Sequence, residues 1–446
     1  MFNPTALRTG RLGRQLIGGA ISGAGFQFVG MVLRLANQAI LAWLLGPAGL
    51  GLYALSLSIA LLASIPAGAG LPQLLVRDLS SAHSRSDFGI MRGLLYFANT
   101  FVFASSLIVI LVGVLLLHLY KNLSGGEPDL PVLAGLLLVP ILSLNAIRSA
   151  ALMALRRFHA AQFLTQVVEP AAMLAVVGAA YIWFPERITP QGALIFYALG
   201  VGLSCAIGSF VLYRAVAKAI SAAPPLYQVR AWLLGILPLS LNAVSGTVNN
   251  VLGPLVLGAF STPEAVGLFR VAQSGAHLAA FGTTVLNGIL CPEVSRLWGN
   301  GDMRRLARLL TLAARAAFLV AFTTSVVFAV FGEQLIAAIY GEAFGGAAMP
   351  LVLLSVGLTV ATLLGFPAVL LEMTRYAPTL TKVMTALVLG NIVSTMILTY
   401  GYGLEGTAIA AAGFFVIQHL ALGAVARRRT KILATAFSSY GWTRAT

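Results

Sequence analysis

The chain has 446 residues, of which 59% are apolar and only 9% are charged, and its mean hydropathy is +0.92. Because about a quarter of the residues of a soluble domain are charged, this composition excludes a water-soluble enzyme and indicates a polytopic membrane protein. The 28 Lys and Arg residues outnumber the 13 Asp and Glu residues, which gives a net charge of +15. In so apolar a chain we interpret this excess first as membrane topology. Two cysteines are too few for a disulfide framework or a cysteine metal cluster, and we expect no cofactor.

Apolar runs of about 20 residues or more, the length that crosses a bilayer, recur along the whole chain. Glycine and proline occur inside these runs, which membrane helices tolerate because neighbouring helices satisfy the freed backbone groups. The longest break runs only from about residue 291 to residue 308, so no soluble domain fits between the runs. We predict an all-α polytopic membrane protein with about twelve transmembrane helices, at residues 16–44, 48–76, 93–119, 131–154, 160–184, 191–213, 233–259, 265–290, 309–331, 346–371, 379–400 and 406–426.

The basic residues fall in alternate loops, as the positive-inside rule describes. Loops on one side of the predicted membrane hold 22 Lys and Arg residues, whereas those on the other side hold only Lys121 and Arg187, together with seven acidic residues. This distribution predicts a multi-pass protein of the cell inner (plasma) membrane with both termini in the cytoplasm. Four arginines remain inside the spans: Arg34, Arg148, Arg270 and Arg315.

The chain repeats a pattern at half its length. LGPAGLGLY at residues 45–53 and LGAFSTPEAVGLF at residues 257–269 both place Leu-Gly at a helix end, then a short turn, then Gly-Leu-aromatic at the next helix start. Both copies follow an even number of spans, so they are parallel repeats related by an axis along the membrane normal. A shift of 212 residues superposes Gly46 on Gly258, Asn37 on Asn249 and Gln38 on Asn250.

The repeat predicts two six-helix lobes. The cleft between such lobes is where repeated transporters hold their substrate. The predicted domains are a cytoplasmic N-terminus at residues 1–15, a first lobe at 16–213, a cytoplasmic inter-lobe linker at 214–232, a second lobe at 233–426 and a basic cytoplasmic C-terminus at 427–446.

A family resemblance rests on three segments in order. LLGPAGLGLYALSLSIALLASIPAGAGLPQLLVRDLS at residues 44–80 resembles the start of the Wzx-type polysaccharide flippases, which belong to the multidrug/oligosaccharidyl-lipid/polysaccharide (MOP) exporter superfamily. VLGAFSTPEAVGLFRVAQS at residues 256–274 and IYGEAFGGAAMPLVLLSVG at residues 339–357 are similar to that family's later recurring segments. Each segment alone is a loose pattern of glycine and aromatic residues, and their joint order and spacing carry the resemblance.

The resemblance implies a V-shaped fold of two six-helix bundles, like that of the MATE transporters of the same superfamily. It also implies a flippase that moves an undecaprenyl-diphosphate-linked oligosaccharide, the repeat unit of an O-antigen or exopolysaccharide, from the cytoplasmic to the periplasmic leaflet by alternating access. We therefore expect a transporter and not an enzyme. Its expected partners are that lipid-linked oligosaccharide, membrane lipids, a polysaccharide polymerase and a chain-length regulator. We expect a monomer and no nucleic-acid partner.

A polar stripe in the first span surrounds Arg34. An arginine at the centre of a bilayer costs at least ~2.5 kcal/mol, so those that remain usually face a cavity or a partner. Gln27 and Gln38 lie on the same helical face as Arg34, and Asn37 is adjacent. We predict that this stripe lines the cavity, and the alternative is that Arg34 pairs inside its own lobe.

A second stripe begins at Arg270 in the eighth span, where snorkelling to the surface is the alternative interpretation. Gln273 and His277 follow on one face, and Ser274 lies between them. The seventh span offers three amides that are suited to bind sugar hydroxyls or to join helices: Asn242, Asn249 and Asn250. Aromatic side chains that could stack on sugar rings are Trp43, Tyr53 and Phe269.

Arg148 and Glu169 lie at similar depth on a predicted hairpin, so we predict a structural ion pair. The alternative is that Glu169, the one carboxylate deep in a span, couples transport to protons, for which His277 is a second candidate. Arg77 at the cytoplasmic end of the second span either meets the diphosphate or anchors the helix. Arg315 is interpreted as a snorkelling anchor.

Three other functions compete with this prediction. A MATE-type drug or cation antiporter needs deep carboxylates, and this chain has one against four arginines. A flippase for lipid II or another lipid-linked glycan would have the same cationic cavity. A membrane polymerase or ligase needs a large outer loop with catalytic Arg or His, and the outer loops predicted here are only about five to fifteen residues long and contain no His.

Overall fold

A computed structural model of the chain describes residues 11–68, 70–124, 130–183, 188–220, 224–432 and 434–438. Residues 1–10 and 439–446 of the predicted termini, and Arg187, lie outside the described residues. The helices are α1 (Arg11–Gly68), α2 (Leu71–Leu74), α3 (Ser80–Ser84), α4 (Phe88–Ser124), α5 (Leu130–Leu137), α6 (Val139–Ala154), α7 (Phe158–Phe163), α8 (Glu169–Trp183), α9 (Pro190–Ile220), α10 (Val229–Phe260), α11 (Pro263–Gly299), α12 (Met303–Tyr340), α13 (Ala348–Leu363), α14 (Pro367–Glu372) and α15 (Ala377–Thr430). Two π-helical segments, Leu75–Leu79 and Leu164–Val168, and a 3₁₀ segment, Glu342–Ala347, complete the description.

The described chain forms nine helices that are long and apolar enough to cross a membrane. Two of these helices each contain two apolar segments, because α1 is broken at Gly46 (φ 65°) and α15 at Gly403 (φ 55°). A backbone with positive φ is accessible to glycine without steric strain, so each glycine turns the chain between two arms. A shorter apolar stretch, Val244–Phe260, lies in α10. Together these helices account for twelve apolar segments, which agrees with the predicted number.

Two predicted spans are interrupted at a glycine with positive φ. The second, at residues 48–76, breaks where α1 ends at Gly68, and Gly70 has φ 72°. The tenth, at residues 346–371, breaks between α13 and α14, where Gly365 has φ 84°. The apolar composition continues through both breaks, which is why composition alone did not reveal them.

Because the apolar segments run alternately up and down, their connections fall at two ends of the bundle. We call the end that holds Arg85, Arg156 and Arg304 the basic end, and the end that holds Gly46 and Ser261 the far end. Residues up to 228 are called the first half and those from 229 the second half.

Buried side chains form three cores with distinct positions. One core, which includes Leu50, Phe269 and Tyr340, lies at the far end and combines residues of both halves. At the basic end, the first half has a core of its own around Met91. The second half has a separate core around Leu306 at the same end. Among the described residues, the far end thus holds a core that both halves build, whereas the basic end holds two separate cores.

The start of α10 packs with the first half although it opens the second. Trp232 is buried in the first half's core and its ring lies 5.2 Å from that of Phe97. Just before it, the backbone N–H of Leu226 donates to the carbonyl of Gly89 at 2.9 Å. The linker is thus fastened to the first half, and the predicted lobe boundaries at 214–232 remain a prediction.

Arg315 is not a snorkelling anchor. Its Nε donates to the carbonyl of Ala436 at 2.8 Å, and its Nη2 to the carbonyl of Ser438 at 3.2 Å. The guanidinium therefore holds a segment from the C-terminal end of the described chain against α12. This contact joins residues 121 apart in sequence, which is why local spacing did not predict it.

Candidate substrate cavity

A cavity of about 480 Å³ lies between the halves, on the basic-end side of the shared core. Both halves contribute polar side chains to its wall. Its polar lining consists of Gln27, Arg34, Asn37, Gln38, Tyr53, Gln166, Glu169 and Tyr197 from the first half, and Arg270, Ser274, His277 and Thr284 from the second.

The stripe on α1 faces this cavity because residues spaced by three, four and seven positions share one face of a helix. Arg34 is exposed to the cavity and its Nη2 donates to Oε1 of Gln166. Gln166 lies in the π-helical segment Leu164–Val168, a type of bulge that is frequent at functional sites. α1 reaches this segment through Gly30, where a Cβ atom would lie 2.3 Å from the carbonyl oxygen of Gln166.

Asn37 fastens α1 to α8. Its Nδ2 donates to the carbonyl of Pro170 at 2.7 Å and to that of Leu33, in its own helix, at 2.9 Å. The side chain is only 4% exposed. Asn37 therefore lines the cavity wall and also holds the two helices that carry Arg34 and Glu169 at a fixed distance.

Glu169 lies at the start of α8 and lines the same cavity. Its Oε2 accepts from Nδ2 of Asn145 at 3.1 Å, and its Oε1 accepts from the hydroxyl of Tyr197 at 3.5 Å. Arg34 is the cation that interacts electrostatically with it. The carboxylate is thus held by neutral donors on two helices, close to the arginine of a third.

The predicted ion pair between Arg148 and Glu169 is wrong. The Nε atom of Arg148 donates to Oγ of Ser209 at 2.8 Å, and its Nη2 to Oδ1 of Asn99 at 2.7 Å. Counting residues from the loop placed both side chains at a similar depth in the membrane. It did not determine how α6 is rotated about its own axis. That helix turns Arg148 toward α4 and α9, whereas Asn145, one turn earlier, is the residue that reaches Glu169.

The second half supplies the opposite wall from α11. Arg270 and His277 line the cavity. Nη1 of Arg270 donates to Oε1 of Gln273 at 3.2 Å, and Nε2 of Gln273 donates to the carbonyl of Asn250 at 3.1 Å. Gln273 therefore orients Arg270 and connects α11 to α10. Its own side chain is not part of the cavity lining.

Three further candidates lie away from the cavity lining, and a fourth has no described side chain. Oδ1 of Asn249 accepts from Asn391 of α15 at 3.0 Å, and Nδ2 of Asn250 donates to Gly246 in its own helix. Arg77, in the π-helical segment Leu75–Leu79, forms an ion pair with Asp78 at 2.6 Å. Asn242 belongs to α10, and its side chain lies outside the described ones.

Residues 16–298 match the model of a family that is described as polysaccharide biosynthesis protein. The chain belongs to this polysaccharide biosynthesis family. No curated protein matches this sequence significantly.

Solved structures share its fold at low identity. An inward-facing multidrug resistance MATE family transporter of the MOP superfamily superposes with a TM-score of 0.73 at 15% identity, over 93% of this chain and 98% of that one. The lipid II flippase MurJ, in an inward closed conformation, superposes with a TM-score of 0.68 at 15% identity, over 91% and 87% of the two chains. At such identities these structures show the fold alone, which is that of a multi-pass membrane protein.

Sequence reasoning missed several cavity residues of this polysaccharide biosynthesis protein. Tyr197 gave no signal because it is a single aromatic residue in an apolar run. Gln166 lies on a stripe with Glu169, a signal that could have placed it in the lining. Of the aromatic candidates, Tyr53 lines the cavity, whereas Phe269 is buried in the shared core and Trp43 donates to the carbonyl of Ile339.

Proposed function

We propose that this protein moves an undecaprenyl-diphosphate-linked oligosaccharide, an O-antigen or exopolysaccharide repeat unit, from the cytoplasmic to the periplasmic leaflet of the inner membrane. The observation that carries the proposal is the placement of one arginine from each half, Arg34 and Arg270, in one cavity. A single site between two halves is what alternating access requires, because relative movement of the halves exposes it to each side in turn.

The chemistry of the cavity suits a lipid diphosphate with sugars attached. Guanidinium groups bind phosphate oxygens with charge-assisted hydrogen bonds, which are about twice as strong as neutral ones. Amide and hydroxyl side chains such as Gln38 and Ser274 can replace the water that the sugar hydroxyls lose. The lipid tail can stay in the bilayer while the head crosses.

The orientation in the membrane follows from charge. The basic end carries most of the Lys and Arg residues, so the positive-inside rule places it, with both termini, in the cytoplasm. The far end, closed by the shared core, would then face the periplasm. In this orientation the cavity loads from the cytoplasm, where lipid-linked precursors are assembled.

A cation antiporter is the second candidate, since one structural neighbour is a multidrug resistance MATE transporter. The one carboxylate in the described cavity lining, Glu169, lies beside Arg34, so a cationic cargo would meet two arginines against one acid. Charge therefore favours an anionic cargo. Lipid II, the cargo of the flippase MurJ, shares the lipid diphosphate chemistry and is a related alternative.

The test is binding and export by Arg34→Ala and Arg270→Ala. Purified protein is titrated with a synthetic polyprenyl diphosphate disaccharide, and surface polysaccharide is measured in cells that depend on this chain. Each variant should lose at least about tenfold in affinity, as expected when a charged hydrogen-bond partner is removed. The control is Arg214→Ala, which removes an exposed arginine that lies over the ring of Phe210 at 4.6 Å. Normal binding and export in both cavity variants, or efflux of cationic drugs, would overturn the proposal.

A further inference from the structure

Gln38 is a cavity residue that also bonds across the cavity to the other half. Its Nε2 donates to the backbone carbonyl of Arg270 at 3.0 Å, and its Oε1 accepts from the hydroxyl of Ser274. Arg270 and Ser274 are four residues apart on α11, so one amide of the first half spans one turn of a helix in the second. Gln38, Arg270 and Ser274 all line the cavity.

These bonds lie at the far end of the cavity, next to the shared core. Leu41, one turn after Gln38 on α1, belongs both to the cavity lining and to that core. Beyond it, the contact between the halves is formed by close backbone packing, by apolar side chains and by one bond outside the cavity lining, in which Nε1 of Trp43 donates to the carbonyl of Ile339 at 2.8 Å. The amide of Gln38 is thus a polar contact between the halves that a molecule in the cavity can reach.

We propose that Gln38 is a latch: its two bonds to α11 hold the far end closed while the cavity is empty, and cargo releases it by competing for the same groups. The cargo part of this inference rests on the proposed function. Phosphate and sugar hydroxyl groups offer the amide and the Ser274 hydroxyl equivalent partners, so filling the cavity removes the advantage of the closed arrangement. A ligand can shift a conformational equilibrium only through such differential contacts.

The size of the effect follows from the two hydrogen bonds. Neutral hydrogen bonds contribute about 1 kcal/mol each, so loss of both bonds should raise the ratio of open to closed far ends about 30-fold. Loss of the Ser274 bond alone should raise it about fivefold.

The reporter is a cysteine at residue 55 in a background that carries Cys205→Ser and Cys291→Ser. The side chain of Leu55 packs on Gly258 of the other half, where an added Cβ atom would lie 2.5 Å from Leu55 Cδ1. Leu55→Cys should react with a soluble maleimide only when the far end opens. The full-length protein is placed in lipid nanodiscs, so the result does not depend on which side is cytoplasmic.

Labelling without cargo tests the latch by itself. Gln38→Ala should label about 30-fold faster and Ser274→Ala about fivefold faster, and the double variant should label no faster than Gln38→Ala, because both single changes break the same link. Ser58→Ala is the matched control on α1, since its hydroxyl bonds only within its helix, to Ala54 at 2.7 Å. Thermal unfolding of each variant excludes loss of fold as the cause. Unchanged labelling in Gln38→Ala would overturn the latch.

Labelling with cargo tests the release. A synthetic polyprenyl diphosphate disaccharide should accelerate labelling of the protein that retains Gln38, and it should change the labelling rate of Gln38→Ala only slightly. Polyprenol, which lacks the diphosphate and the sugars, should not accelerate labelling of either protein. If Gln38→Ala labels faster but the disaccharide lipid has no effect on the protein with Gln38, the latch stands and its release by cargo is wrong. The binding titration then decides on the proposed function separately, because a lipid that binds without accelerating labelling leaves that function in place.

Discussion

Gly51 of the first half and Gly267 of the second bring the two halves into backbone contact. A Cβ atom on Gly51 would lie 1.7 Å from the carbonyl oxygen of Pro263, and one on Gly267 would lie 2.1 Å from that of Pro47. Both glycines belong to the repeated Gly-Leu-aromatic pattern, so the repeat that relates the halves in sequence also supplies a backbone contact between them. The relation is reciprocal, as an axis between two similar halves requires.

The first prediction concerns this contact. Gly51→Ala and Gly267→Ala should each lower the free energy of unfolding by about 1–3 kcal/mol, because the added methyl group meets backbone that cannot move aside. The measurement is the thermal unfolding midpoint of the purified protein, together with maleimide labelling of Leu55→Cys, which should increase as the far end is forced apart. Gly25→Ala on the same helix has no atom within 4 Å of the added Cβ and should leave both measurements unchanged.

A second prediction concerns Gly30, which lets α1 approach the π-helical segment beside the cavity. Gly30→Ala should push α1 away from Gln166 and move Arg34, so affinity for the polyprenyl diphosphate disaccharide should fall about as far as in Arg34→Ala. The double variant should bind no more weakly than Arg34→Ala, because both changes act through one side chain. Additive losses in the double variant would contradict this explanation. Gly25→Ala again serves as the control.

Arg34 and Arg148 are both arginines inside spans, yet the structure gives them different roles. Arg148→Ala removes the hydrogen bonds by which α6 is joined to Asn99 of α4 and to Ser209 of α9. The free energy of unfolding should therefore fall by about 1–3 kcal/mol. Affinity per folded molecule should stay the same. Arg34→Ala should show the opposite pattern, with weak binding and a nearly normal unfolding midpoint. Weak binding by folded Arg148→Ala would show that this arginine acts on the cavity.

The sequence predicted the features that depend on composition and on local periodicity. The number of apolar segments follows from run length, and the stripe at Gln27, Arg34 and Gln38 follows from the period of a helix. The partners of Arg148 could not be predicted, because they depend on the rotation of α6, which packing on neighbouring helices decides. The breaks at Gly70 and Gly365 were missed for a related reason: a glycine in an apolar run becomes a turn only when the surrounding packing leaves the helix no room to continue.

The partners of Arg315 depend on a segment that is distant in sequence, and that contact leads to the last prediction. Besides the two bonds from Arg315, the backbone N–H of Ala436 donates to the carbonyl of Leu363 at 2.9 Å, and Ile432 and Ala436 are buried in the core of the second half at the basic end. The segment at residues 434–438 thus lies against α12 and the end of α13.

Arg315→Ala should release this segment, because the carbonyls of Ala436 and Ser438 lose their donor, and the unfolding free energy should fall by about 1–3 kcal/mol. Limited proteolysis should then cut the chain after Lys431 at a higher rate. Arg315→Lys, which keeps the charge and can reach one carbonyl, should restore part of the protection. Arg428→Ala, an exposed arginine at the same end, is the control and should change neither measurement. Equal proteolysis rates for Arg315→Ala and the control would show that the buried Ile432 and Ala436 side chains hold the segment without help from the guanidinium.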